Sequence, residues 1–151
     1  MQISAKADYA VRALLCMAAH EPDLVTAETI VTEQGLPRKF IESILGQLRR
    51  AGLVRAQRGA AGGYLLTAPA REITIGAILR AVDGPLAEVR GLRPHETTYA
   101  GAAEHLPEVW VATRASLRQV LDETSLAQVL TGKLPRQVVK LNQAPDAWLP
   151  R

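Results

Sequence analysis

The sequence predicts a mainly α-helical fold carrying one small β-hairpin, and three observations support it. Apolar residues recur at steps of three and four between Pro37 and Ala51, where Ile41, Ile44, Leu45 and Leu48 form one stripe to bury. Gly35 and Pro37 separate that stripe from a shorter helical segment before it, a glycine where one helix stops and a proline where the next begins. The glycine-rich run Ala60–Gly63 divides two strand-like segments, one starting at Leu53-Val54 and one spanning Gly63-Tyr64-Leu65-Leu66-Thr67. Helix, turn, helix and hairpin in this order make a winged helix-turn-helix, an architecture whose second helix suits the major groove of DNA.

Composition agrees. A chain of 151 residues with 48% hydrophobic and 22% charged residues can bury a core and is not globally disordered. Aromatics are only 4%, so aliphatic helix packing must supply most of that core. The net charge is only +3, yet Pro37 to Arg58 holds six basic residues (Arg38, Lys39, Arg49, Arg50, Arg55, Arg58) against one acid, Glu42. Phosphate neutralisation needs such a local patch and no extreme total charge. A single cysteine excludes an intrachain disulfide and fits a reducing cytoplasm, where a DNA-binding protein is expected to be nucleoid-associated. No apolar run approaches membrane-spanning length, so no membrane partner is expected. The segment Ala13–Ala19, behind Lys6 and Arg12, is too short and too interrupted by Asp8 for a secretory signal, and reads as an amphipathic first helix.

Ser4 caps that first helix, which runs from about Ala5 to His20 with Ala10, Leu14, Met17 and Ala18 inward. Cys16 lies among them as a small hydrophobe, with no basic residue close in sequence to activate it. Glu21-Pro22-Asp23 turns the chain, and Thr26 caps a helix carrying Ile30 and Val31. The glycines of Gly59–Gly63 lack the following Lys-Ser/Thr of a phosphate-binding loop and precede a strand, so they serve a hairpin tip. A helix from Ile75 to Val82, capped by Thr74, ends at Gly84-Pro85. Residues 86–106 have little periodicity and read as a long loop. Pro107 opens the next helix, in which Leu106, Trp110, Leu117, Val120 and Leu121 form a stripe. Ser125 to Leu130 makes a short helix ending at Gly132, and the tail beyond it reads as extended.

The run Gly35-Leu-Pro-Arg-Lys-Phe-Ile-Glu-Ser-Ile-Leu, then Leu48-Arg-Arg-Ala-Gly-Leu-Val, then Arg58-Gly-Ala-Ala-Gly-Gly-Tyr-Leu-Leu resembles the IscR/NsrR group of bacterial transcriptional regulators, the Rrf-two family. Ser4-Ala-Lys-Ala-Asp-Tyr-Ala-Val-Arg-Ala and Ile73-Thr-Ile-Gly-Ala-Ile-Leu-Arg-Ala-Val-Asp-Gly are similar to the same family. The likeness is dense over 1–84 and thins afterwards. It implies a winged helix-turn-helix DNA-binding unit (1–84), a sensor loop (85–106), dimerisation helices (107–132) and an extended tail (133–151). It further implies a homodimer on double-stranded DNA, with the long helix, through Trp110, Leu117, Val120 and Leu121, as the dimer seam. Packing of that stripe on the chain's own reader unit is the alternative.

Many relatives hold an iron–sulfur cluster through three cysteines in the loop corresponding to 86–106. This loop has none, and one thiolate per chain falls short of a four-cysteine set, so no cluster is expected. Asp8 matches the position from which some relatives supply a non-cysteine ligand; without the cysteines it reads as a surface contact. A metal held by His95 and His105 is the weaker alternative, since neither an i, i+4 His pair nor a cysteine fixes its geometry. An effector pocket for a small molecule, formed by His95, Tyr99, His105 and Trp110, or a docked partner protein, is favoured over it.

The sequence thus points to a repressor of transcription that binds an inverted repeat. Arg38, Lys39, Phe40, Glu42, Ser43 and Gln47 are expected to face the major groove, with Arg58 in the adjacent minor groove. Thr26, Arg49 and Arg55 are expected to contact phosphates. The rival is a winged-helix interaction module that docks a partner enzyme. Neither paired carboxylates nor a nucleophile elbow is present, so catalysis is not indicated.

Overall fold

The computed structural model describes residues 2–150. Met1 and Arg151, the outer limits of the expected reader unit and tail, lie outside the described residues. The order is α1 (Ala5–Ala19), α2 (Ala27–Gln34), α3 (Arg38–Arg50), β1 (Val54–Gln57), β2 (Gly63–Leu66), α4 (Ile75–Asp83), α5 (Leu106–Leu121), α6 (Leu126–Thr131) and α7 (Arg136–Asn142). This is the mainly helical winged architecture expected.

Local signals set most of the helix ends. Ser4 Oγ accepts the Ala7 N–H at 3.0 Å, Thr26 Oγ1 that of Thr29 at 3.1 Å, and Thr74 Oγ1 that of Ala77 at 3.2 Å. Each satisfies an N–H that would otherwise lack a partner, worth about 1 kcal/mol. Gly35 closes α2 in the left-handed conformation.

α1 lies at the centre, against α2, α3, α4 and α6. Its small buried residues Ala7, Ala10 and Ala13 let these neighbours approach, while Leu14 and Met17 fill the space between them. α3 contributes Ile41, Ile44, Leu45 and Leu48, and α4 Ile78, Leu79 and Val82. Each fully buried aliphatic side chain is worth about 1.5–3 kcal/mol. The strands pair antiparallel, Val54 opposite Leu66 and Gln57 opposite Gly63. Val25 extends the sheet by one bridge, its N–H donating to Tyr64 O at 3.0 Å and its carbonyl accepting the Tyr64 N–H at 2.8 Å. Gly62 is required at the tip, because a Cβ there would lie 2.3 Å from the Gln57 carbonyl oxygen.

Three expectations need correction. The tail is not extended throughout: α7 occupies Arg136–Asn142, and the Trp148 indole N–H donates to Asn142 O at 2.7 Å. The proline at 135 ends one segment and opens a helix too short to show periodicity. Next, α6 is not an appendage of the long helix. Leu126 is fully buried in the reader core, its N–H donates to Ile73 O at 2.9 Å, and the Ile75 N–H donates to Thr124 O at 2.9 Å. The reader unit therefore includes residues beyond 84. Lastly, the loop over 86–106 is folded: Val89 bridges Leu92, short 3-10 turns occupy Pro94–Glu96 and Gly101–Ala103, and Pro94 and Thr97 are buried.

α5 sits on the Pro94–Glu96 turn, α4 and α7, and none of its 16 residues is buried. None of the helices among the described residues is long and apolar enough to cross a membrane.

Candidate nucleic-acid interface

α3 divides its residues sharply. The buried stripe points at α1 and α4, which leaves Arg38, Lys39, Phe40, Glu42, Ser43 and Arg49 exposed and Gln47 half-buried. Arg55 and Arg58 are exposed on the first strand and the tip of the hairpin. A cationic helix face and a cationic wing thus flank one another, the arrangement that lets side chains meet base edges and phosphates together.

Contacts across elements add what sequence reading missed. Arg38 is ion-paired with Glu28 of α2 across the turn, both side chains exposed. Phe40 is 46% exposed, yet its ring centroid lies 6.3 Å from that of the half-buried Tyr9, and Lys39 Nζ sits 4.9 Å above it. A shallow apolar depression of about 330 Å³, lined by Ala5, Lys6, Tyr9, Phe40, Ser43 and Ile44, adjoins the recognition helix. Thr26 is exposed, but its hydroxyl is already engaged as the α2 cap and lies 2.9 Å from Thr29 Oγ1. Glu28 and Tyr9 could not be found from spacing, because their partners lie ten and thirty-one residues away.

The stripe expected on α5 splits between two clefts. Leu117, Val120 and Leu121 line an apolar groove of about 720 Å³ with Ile3 and Leu141. Trp110 instead faces a cleft of about 520 Å³ with Ala87, Val89, Arg90 and Thr113. Val109, 53% exposed, was not part of the expected stripe.

Of the four residues expected around an effector, Trp110 lines that cleft, and Tyr99 reaches it through Arg90, whose guanidinium lies 5.2 Å from the Tyr99 ring centroid. His95 turns elsewhere, its Nδ1 3.2 Å from the Arg114 guanidinium. His105 is exposed beside Glu104 and Glu108, at 3.3 and 3.6 Å. Neither histidine joins a group of three metal-ligating side chains among the described residues. Beside the Trp110 cleft lies a second, of about 350 Å³, where Arg80, Arg93, Arg114 and Arg118 face one acid, Asp122. Arg80 and Arg118 reach Asp122 at 2.7 and 3.3 Å.

Cys16 is 2% exposed, as a core residue should be, but it is not among apolar neighbours only. Its Sγ–H donates to Glu33 Oε2 at 3.3 Å, and His20 Nε2 lies 2.9 Å from Oε1 of the same carboxylate. Burial pushes the thiol up to about 12, and the hydrogen bond to Glu33 adds to the rise. The His20 hydrogen bond, with that of Cys16, holds the Glu33 carboxyl below the usual carboxylate range. Asp8 pairs with Arg12 at 3.4 Å, the surface contact expected of it.

A buried three-helix core that presents one cationic helix beside a glycine-tipped hairpin defines a winged helix-turn-helix DNA-binding protein. Residues 3–132 match the Rrf2 profile, described as "Iron-dependent Transcriptional regulator", and the chain belongs to that family of DNA-binding transcriptional regulators. It is 46% identical over 142 residues to Rv1287 of Mycobacterium tuberculosis strain H37Rv, which is named as an HTH-type transcriptional regulator; the match covers 93% of this chain and 88% of the relative. The solved structure of CymR, titled the global cysteine regulator of B. subtilis, superposes with a TM-score of 0.74 at 29% identity, covering 87% of this chain and 98% of that one. T. potens IscR gives a TM-score of 0.71 at 30% identity and covers 88% of each chain.

Proposed function

We propose that this regulator is a homodimeric repressor in the cytoplasm that binds an inverted-repeat operator and responds to its signal without an iron–sulfur cluster. The observation that carries the reading is the exposed face of α3, Arg38 to Gln47, set beside Arg58 on the wing. Arg38, Lys39, Phe40, Glu42, Ser43 and Gln47 would read the major groove, Arg58 the minor groove, and Thr26, Arg49 and Arg55 the phosphates. One such reader covers one half-site, so a two-fold partner supplies the other. The apolar groove along Leu117, Val120 and Leu121 supports α5 as the seam between copies.

Footprinting on the DNA upstream of the chain's own gene, at several salt concentrations, tests this. Two protected half-sites one helical turn apart, with affinity falling steeply as salt rises, are expected. An unprotected region at every salt concentration would favour the interaction-module rival.

The loop over 86–106 has no cysteine, so cluster ligation there by thiolate is not available. The four arginines around Asp122, at the junction of α4 and α5, favour a small anion as effector. Such a ligand acts only if it binds one arrangement of the reader unit and α5 more tightly than the other. Titrating inorganic phosphate, sulfate and citrate into the operator complex checks this, and a footprint unmoved by all three removes the anionic reading.

A further inference from the structure

We infer that Cys16, His20 and Glu33 form a binding site for a borderline divalent transition-metal ion, of the class of zinc(II), that fastens α1 to α2. The placement is specific. Cys16 and His20 are four residues apart, one helical turn on the same face at the end of α1, and Glu33 comes from the last turn of α2. One ligand atom from each lies within 4.8 Å of the other two. Sγ is 3.3 Å from Glu33 Oε2, and His20 Nε2 is 2.9 and 3.0 Å from the two carboxylate oxygens.

These separations are close to what an ion needs. With bonds of about 2.3 Å to sulfur and about 2.0–2.2 Å to nitrogen and oxygen, tetrahedral ligands lie about 3.4–3.6 Å apart. Opening the cluster by about half an ångström, through side-chain torsions alone, reaches that geometry.

The donor set is chemically selective. Thiolate, imidazole and carboxylate together suit zinc(II) and cobalt(II), whereas magnesium and calcium prefer oxygen alone. Three protein ligands leave a fourth position for water, and the exposure of His20 and Glu33 (40% and 43%) supplies the path by which ion and water enter. Cys16, at the inner end, gives the site a dry floor. On binding, the S–H bond breaks, its proton leaves to solvent, and the sulfur lone pair forms the metal bond. His20 takes the tautomer with its proton on Nδ1, freeing the Nε2 lone pair. No electron is transferred.

The consequence concerns the reader. α2 leads through Gly35 into α3, and α1 carries the core on which α3 packs. Without an ion, α1 and α2 are joined along this edge by Arg12 donating to Gln34 O and by the hydrogen bonds of Cys16 and His20 to Glu33. An ion would replace the latter with bonds that fix the angle between the helices.

Metal-free full-length protein titrated with cobalt(II) tests the site, because a thiolate ligand announces itself by a near-ultraviolet sulfur-to-cobalt charge-transfer band. The expected result is that band together with tetrahedral visible bands, saturating at one equivalent per chain and bleached by zinc(II). Cys16→Ala should abolish the charge-transfer band. His20→Gln, at an exposed helix end where the fold is not at risk, should weaken zinc(II) binding by about tenfold or more, since even partners outside the coordination sphere are worth about 10–100-fold. Zinc(II) should also raise the melting temperature of the unaltered protein and not that of His20→Gln. Cobalt(II) that binds without a charge-transfer band, or equal zinc(II) affinity in the unaltered protein and His20→Gln, would overturn the inference. No DNA enters the experiment, so its failure leaves the regulatory reading untouched.

Discussion

α3 and α5 are helices of similar length, 13 and 16 residues, and both carry arginines as well as branched aliphatics. Within the chain they meet different fates. α3 buries Ile41, Ile44, Leu45 and Leu48 completely or nearly so, and apart from Phe40, 46% exposed, what it leaves in water is polar. α5 buries nothing completely, and Val109 on it is 53% exposed while Leu117 and Val120 line an open groove. Helices of this length are marginal in water without tertiary packing. The core supplies that packing for α3. For α5 the Pro94–Glu96 turn, α4 and α7 supply only part, and the proposed homodimer would cover the remaining apolar surface with a second copy.

Leu117→Asp should break this contrast most severely. If α5 is the seam, an unpaired carboxylate buried between copies costs about 3–5 kcal/mol, and the protein should sediment as a monomer while keeping its helical circular dichroism. A variant that remains a dimer would place the seam elsewhere.

Leu126→Ala sharpens the other side. Leu126 lies beyond α5 in sequence yet is fully buried in the reader core, so truncation should lower unfolding stability by about 2–5 kcal/mol in denaturant melts. A cost below about 1 kcal/mol would separate α6 from the reader core.

Arg58→Ala tests the wing, which the proposed function sets in the minor groove. Operator affinity, read by fluorescence anisotropy, should drop by about 1–3 kcal/mol with the melting temperature unchanged. Unaltered affinity would remove the wing from the interface.

Val109→Ala is the smallest change. In the isolated chain an exposed valine contributes within about 0.5 kcal/mol, so thermal stability at dilutions where any dimer has dissociated should hardly move. A larger loss there would mean that α5 is packed by its own chain after all.

Legibility followed the range of the interaction. The caps at Ser4, Thr26 and Thr74, the stop at Gly35, the stripe of α3 and the glycine-tipped hairpin were all readable, because each depends on residues within a few positions. The cationic face of α3 was readable for the same reason: helical spacing alone decides which side is left over once the apolar side is buried. The four residues expected around an effector do not all converge. Tyr99 and Trp110 approach one cleft, but His95 turns to Arg114 and His105 to its neighbouring acids.

Sequence alone therefore determined the reader's elements and their order, since helix and hairpin signals are local and additive along the chain. Tertiary structure alone decided what crosses between them. It carried Leu126 back into the core and set Glu28 against Arg38. It brought Asp122 so close to α4 that a Cβ at Gly76 would lie 1.9 Å from its Oδ1. It also joined Cys16 and His20 to Glu33, thirteen and more residues away. No propensity encodes such pairs, because they exist only after the helices have packed and brought residues far apart in sequence side by side.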